Sequence, residues 1–162
     1  MKLYPFICCG EYYSCGRNST AHAMKNGNQK SIQKAAAEMA KFVGKDVVLI
    51  PMAGHTGIAT YTLNLANEIA KLTGAKVLDI MKGRERESFY NMKKQGNEVN
   101  TDDLGLYLTE ELPDADIMIV DNVVSTGTTA KAALELTGKG VVLAYAFVSR
   151  AKHVEGLTEV TA

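Results

Sequence analysis

Residues Ile117-Met118-Ile119-Val120-Asp121-Asn122-Val123-Val124-Ser125-Thr126-Gly127-Thr128-Thr129 pass from a short β-branched apolar run into a hydroxyl-rich turn with one glycine. Beyond it Ala130, Ala133, Leu134 and Thr137 trace one helical face, and Gly138 closes the pattern. This predicts a strand over 116–120, a loop over 121–128 and a helix. Such a junction is an anion site: the first-turn N–H groups are free, the helix dipole adds partial positive charge, and glycine allows close approach. Ser125, Thr126, Thr128 and Thr129 add hydroxyl donors, while Asp121 and Asn122 at the strand end can hold sugar hydroxyls. Hydroxyls at a helix start also serve as simple caps, so the composition alone leaves both readings open.

Outward from this stretch, strand and helix signals alternate. A helix is predicted over 31–43, capped by Ser31 and stopped by Gly44; Val47-Val48-Leu49-Ile50 with Pro51 reads as a doubly buried strand. Ile58, Tyr61, Leu65, Ile69 and Leu72 recur at helical spacing after Gly57, up to Gly74. Residues 76–81 read as a strand, 102–112 as a short helix, 141–148 as a last buried strand, and residues 1–9 as a first one. From Lys82 to Asn100 the apolar period fails over a length that compact domains keep for mobile functional loops. Alternation of this kind implies βαβ units, hence an α/β fold with a mostly parallel sheet and helices on both sides. Ligands in such sheets bind beyond the carboxyl ends of strands, which singles out 52–57, 82–100 and 121–129.

The 162 residues suit one domain over 1–162, and 46% hydrophobic residues suffice for a core. Eighteen basic against eighteen acidic side chains leave no net charge, which argues against a nucleic-acid or membrane-surface partner. The longest apolar run, 141–148, is far below the roughly 18 residues of a membrane span. The start carries one lysine and a brief apolar stretch broken by Pro5, which we read as a strand and not a leader. Cys8, Cys9 and Cys15 suit a reducing, cytoplasmic setting; with adjacent cysteines they do not form a zinc pattern with His22, so no protein metal site is expected. Residues 1–45 hold seven basic groups against two acidic ones, a solvated face or the wall of a site for an anionic substrate.

The string Val120 to Thr129 closely resembles the phosphoribosyl pyrophosphate motif of type I phosphoribosyltransferases, and the order of elements from Val47 to Val148 is similar to that family's core. The resemblance implies a mostly parallel central sheet flanked by helices, with a core at about 31–150 and a small N-terminal hood at about 1–28. It implies a pentosyl-class glycosyltransferase of nucleotide metabolism. With substrate-chelated Mg²⁺ it would move the phosphoribosyl group from phosphoribosyl pyrophosphate to a nitrogen acceptor, a nucleobase, and release pyrophosphate. Ser125, Thr126, Gly127, Thr128 and Thr129 would hold the 5-phosphate, and Asp121 and Asn122 the ribose hydroxyls. Asn122 stands where the family more often has a second acid, and Ser125 where hypoxanthine-type members carry an aspartate.

Met52 to Gly57 looks like the family's pyrophosphate loop, with Ala53, Gly54, His55, Thr56 and Gly57 as its contacts; a plain turn at a helix start fits the same residues. Lys82, Arg84 and Arg86, with Lys93 and Lys94 beyond, match a flexible basic lid that would stabilise charge on the departing pyrophosphate. Alternating Arg and Glu that merely pair in solvent are the other reading. Tyr12 or Tyr13 of the opening segment could stack on a planar acceptor, whose identity the sequence leaves unknown. Homodimers are common in this family. The rival function is a non-catalytic regulator that binds phosphoribosyl pyrophosphate or a nucleotide on the same fold.

Overall fold

The computed structural model describes residues 1–86, 96 and 101–161. Among these residues, eight strands and four α-helices follow one another as β1 (Tyr4–Glu11), α1 (Arg17–Lys25), α2 (Gln29–Met39), β2 (Val48–Pro51), α3 (Tyr61–Thr73), β3 (Lys76–Val77), β4 (Met81–Lys82), β5 (Tyr107–Leu108), β6 (Ile117–Val124), α4 (Thr128–Thr137), β7 (Val141–Phe147) and β8 (Leu157–Glu159). Six strands form one sheet in the order β3-β2-β6-β7-β1-β8, every neighbouring pair parallel. β4 and β5 pair antiparallel outside it.

Parallel strands buried on both faces explain the unbroken apolar runs. Along β2, Val48 and Ile50 face the layer of α4 and the β4–β5 pair, while Leu49 faces α2 and α3. β6 follows suit: Ile117 and Ile119 pack toward Ala130, Ala133 and Leu134 of α4, and Val120 packs with Leu65, Ala66 and Ile69 of α3. Met24 of α1 and Ile32, Ala35, Ala36 and Met39 of α2 complete the second layer. Among the described residues no helix is long and apolar enough to cross a membrane.

Several boundaries differ from the sequence reading. The first strand covers 4–11 and not 1–9, and it lies inside the sheet between β7 and β8, so the opening 28 residues contribute to the core as well as to the cleft described below. Asn28, not Ser31, caps α2: its Oδ1 accepts from the Ser31 N–H at 2.9 Å, and the last expected turn is a 3-10 turn, Ala40–Phe42. α3 begins at Tyr61, because Ile58 closes a turn by accepting from the Gly54 N–H; Ile58 and Leu72 are 50% and 61% exposed and belong to no core face.

The expected strand over 76–81 is two. After Leu78 donates to Leu49 the chain leaves the sheet, and Ile80 and Met81 bury against the core at the start of β4. The expected helix over 102–112 is a 3-10 turn, Thr101–Leu104, stopped by Gly105 at φ 55, with β5 following. β6 continues four residues past 120, so Asp121 to Val124 are strand and not loop. β8, three partly exposed residues without an apolar run, had no sequence signal.

That extension of β6 positions the site. β2 ends at Pro51, opposite Val120, whereas the ladder with β7 continues to Val124. From β2 the chain crosses through α3 to β3 on one side, and from β6 through α4 to β7 on the other. The crevice therefore opens between the carboxyl ends of β2 and β6, the usual ligand position in open α/β sheets. Leu49, fully buried on β2, tests the packing beneath it: Leu49→Ala should cost about 2–5 kcal/mol in urea unfolding with an unchanged m-value.

Candidate functional site

A cavity of about 910 Å³ occupies this crevice. Its floor is Asp121 to Val124 of β6, the turn from Ser125 to Thr129 forms one side, and Met52, Ala53, Gly54 and His55 form the facing side. Tyr12 and Tyr13 together with Ala21, His22, Lys25 and Asn26 of α1 and its end make the outer wall, with Tyr61 of α3 and Arg86 between.

The turn after β6 is held by its carbonyls. Val124 accepts from the Val148 N–H, Thr126 from Val154 and Gly127 from Lys131, at 2.8–2.9 Å. Among the described residues no peptide bond is cis, and in a trans peptide N–H and C=O point in opposite directions, so the amides of Ser125, Gly127 and Thr128 are turned away from those partners. Gly127 sits at φ 88, and a Cβ there would meet Leu157 Cδ2 at 2.7 Å. The Thr126 and Thr128 hydroxyls lie 2.9 Å apart, Gly127 at the N-cap has no side chain to offer, and Thr126 Oγ1 accepts from the Thr128 N–H at a long 3.4 Å. Main-chain donors at a helix start, with hydroxyls beside them, are suited to a phosphoryl group.

Asp121 is only 8% exposed, and its Oδ1 accepts from the Asn122 N–H at 2.8 Å. Burial pushes its pKa up to about 6, against the lowering effects of the Asn122 N–H and of the Lys25 charge. Asn122 Oδ1 accepts from the Val123 N–H at 2.9 Å and from the Tyr61 hydroxyl at 3.2 Å. Burial, followed by the neighbouring Asp121, raises the Tyr61 phenol pKa, so the hydroxyl keeps its proton. Thr62 Oγ1 donates to the Met52 carbonyl at 2.7 Å and pins the first turn of α3 to the end of β2.

The other expected contacts divide. Ala53, Gly54 and His55 line the cavity; exposed Thr56 and buried Gly57 do not. Gly57, at φ 87, instead accepts from the Gly83 N–H, and His55 accepts from the Arg86 N–H at 2.7 Å, so the 53–57 loop is stitched to the chain after β4. Of the lid cations, Arg86 lines the cavity; burial lowers its pKa and Asp103 acts against that. Lys82 pairs with Asp79 at 3.0 Å, and exposed Arg84 packs over Gly105. The rest of the expected loop, including Lys93 and Lys94, lies outside the described residues apart from Gly96.

Tyr61, Lys25 and Asn26 carry no sequence signal that marks them as site residues. Tyr61 falls on the apolar face of a helix, and Lys25 is one of seven cations in a basic segment; of these only Lys25 reaches the cavity. Arg17 by contrast pairs with Glu38 and lies over the Tyr145 ring at 4.9 Å. Tyr12 and Tyr13 are held at the rim by Glu11, whose Oε1 accepts from Ser149 Oγ at 2.9 Å, and by the Arg150 guanidinium 3.7 Å over the Tyr13 ring. Cys8 and Cys9 are partly buried, their pKa values pushed by desolvation up to about 12 and about 11, so they are not reactive thiolates.

No protein-family model matches the chain, and no curated protein sequence does. Solved structures do. A hypoxanthine phosphoribosyltransferase from Staphylococcus aureus superposes with a TM-score of 0.50 and 17% identity, over 82% of this chain and 74% of that one. A purine phosphoribosyltransferase from Pyrococcus horikoshii Ot3 gives 0.44 and 18%, over 82% and 80%. A hypothetical protein from Neisseria gonorrhoeae with bound ppGpp gives 0.43 and 13%, over 98% and 81%. The first of these, with the parallel sheet and its flanking helices, identifies the fold as that of the type I phosphoribosyltransferases.

The buried carboxylate gives a pH-dependent test. With a folded pKa of about 6 against an ordinary 3.8, Asp121 favours the folded state below the unfolded value and loses that advantage as pH rises through the folded one. Asp121→Asn should therefore stabilise the protein at pH 7.5, by on the order of 3 kcal/mol at most, and the gain should shrink as pH falls through about 6 and vanish below the unfolded value, by about pH 3, in thermal melts.

Proposed function

We propose that the protein binds phosphoribosyl pyrophosphate and transfers its phosphoribosyl group to a nitrogen acceptor, a nucleobase, with release of pyrophosphate. One observation carries this reading: a single cavity is lined together by the 125–129 turn, the Asp121–Asn122 pair and the 53–55 loop. The main-chain amides of Ser125, Gly127 and Thr128 grip the 5-phosphate, with the Thr126 and Thr128 hydroxyls beside them. Asp121 accepts from a ribose hydroxyl, and Asn122 meets the other. Ala53, Gly54 and His55 receive the pyrophosphate, with Arg86 and Lys25 as flanking positive charge.

The residues fit a magnesium ion that arrives with the substrate. Asp121 is the acid lining the cavity, and no cluster of three His, Cys, Asp or Glu side chains among the described residues could cage a metal. Asp121 would touch it, with the remaining ligands from substrate oxygens and water. When bound it supplies positive charge against the pyrophosphate. The protein's own contribution is position and field: the fixed amides and the Asp121 carboxylate hold the pentose while bonding to C1 loosens. Tyr12 and Tyr13, at the rim near α1, form a wall for a planar acceptor.

A second reading, a phosphoribosyl pyrophosphate or nucleotide sensor without transfer, is favoured by Asn122, an amide where a second carboxylate would favour a developing cation, and by Lys82, held by Asp79 away from the cavity. Titration calorimetry with phosphoribosyl pyrophosphate and Mg²⁺ should give saturable binding that Gly127→Ala weakens by roughly tenfold or more, since the added Cβ strains the turn and meets Leu157. Unchanged affinity in that variant, or none in the parent, overturns the binding site. With a panel of nucleobases present, pyrophosphate should be released; binding without release assigns the sensor role.

A further inference from the structure

We propose that Tyr61 is a positioning residue that sets the hydrogen-bonding polarity of the pentose subsite: its hydroxyl holds Asn122 by the amide oxygen, so that the amide NH₂ meets the sugar and the Asp121–Asn122 pair offers an acceptor beside a donor. This rests on the functional reading above and goes beyond it by fixing how the ribose is read.

The Val123 N–H can only donate, so the atom 2.9 Å from it must be the Asn122 oxygen. That identifies the oxygen but leaves the side chain tied only to its own neighbour in sequence. The second donor to the same oxygen comes from Tyr61, 61 positions away in the chain and on a different element. With both oxygen lone pairs occupied by protein donors, Asn122 has only its two N–H bonds to offer the cavity that it lines.

Tyr61 is itself anchored. It is the first residue of α3, the Thr62 hydroxyl ties that turn to Met52 at the end of β2, and its own hydroxyl stays protonated beside Asp121. Asp121 supplies the opposite polarity, its carboxylate accepting from the Asn122 N–H through one oxygen and leaving the other for a ligand. A vicinal diol meets such a pair well, one hydroxyl donating to Asp121 and the other accepting from Asn122. A sugar lacking the second hydroxyl would leave a mostly buried amide unpaired, which costs more than a missing contact in water. Two carboxylates in the same places would have no such requirement for an acceptor.

The test uses the full chain, with inorganic phosphate, ribose 5-phosphate, 2-deoxyribose 5-phosphate and 3-deoxyribose 5-phosphate as calorimetric ligands, on the parent, Tyr61→Phe, Asn122→Asp and the double variant. The parent should prefer ribose 5-phosphate over one of the deoxy sugars by roughly tenfold. Tyr61→Phe should reduce that preference to within about threefold while leaving phosphate affinity unchanged, since the 125–129 amides are not touched. In the Asn122→Asp background, where either carboxylate oxygen accepts, Tyr61→Phe should change the ratio no further. An unchanged ratio in Tyr61→Phe, or an equal loss when Tyr61→Phe is added to Asn122→Asp, overturns the positioning role while the functional proposal stands. A parent that binds phosphate but gains nothing from the ribose removes the pentose subsite itself, and this inference with it.

Discussion

β6 is four residues longer than its neighbour β2, and that mismatch is the constraint on which the rest depends. From Ile117 to Val120 the strand is laddered to β2 on one side; from Asp121 to Val124 only β7 pairs with it. A strand with one open side at the switch point of a parallel sheet presents main chain and short side chains to a crevice, with the rigidity of a sheet behind them. Asp121 and Asn122 are therefore held by strand geometry, and the following turn inherits a fixed starting direction. Val148 and Val154 complete the arrangement by taking the carbonyls of 124 and 126, which turns the Ser125 and Gly127 amides away from them.

Such a site is costly in the empty protein. A carboxylate that is 8% exposed and raised to about 6 disfavours the folded state at neutral pH, and Lys25 offsets only part of that. The same burial that destabilises the ionised acid strengthens its interaction with a sugar hydroxyl or a cation brought by a ligand, because fewer water dipoles compete. The stitching of the 53–57 loop to residues 83 and 86, together with Thr62 on Met52, keeps the facing wall from collapsing into the gap. Packing energy from two apolar layers, with Leu49, Ile119 and Leu143 fully buried, supports this centre.

The parallel α/β class was legible because Val47 to Ile50, Ile117 to Val120 and Val141 to Phe147 are apolar without alternation, which only a doubly covered sheet explains. The strand-to-helix turn at 125–128 was legible because hydroxyls and glycine follow a strand directly. What escaped was whatever depends on tertiary partners. Asp121 to Val124 read as loop, since polar side chains there are tolerated only because the strand outruns its neighbour. Tyr61 sits at a core-like helical position, and nothing in its spacing tells that its hydroxyl reaches Asn122. Lys25 is indistinguishable in sequence from Lys30 or Lys34; only the path of α1 past the crevice brings it to the cavity. β4, β5 and β8 are too short for any periodicity.

Whether the turn after β6 takes a sugar-linked phosphate decides everything built on it. Amide-resolved NMR of the ¹⁵N-labelled chain, titrated with ribose 5-phosphate, examines that directly. Saturable shifts of the Ser125, Gly127 and Thr128 amides, accompanied by the Asn122 side-chain NH₂ resonances, are the expected result. Shifts confined to other surfaces, or none at these amides at saturating ligand, would contradict it.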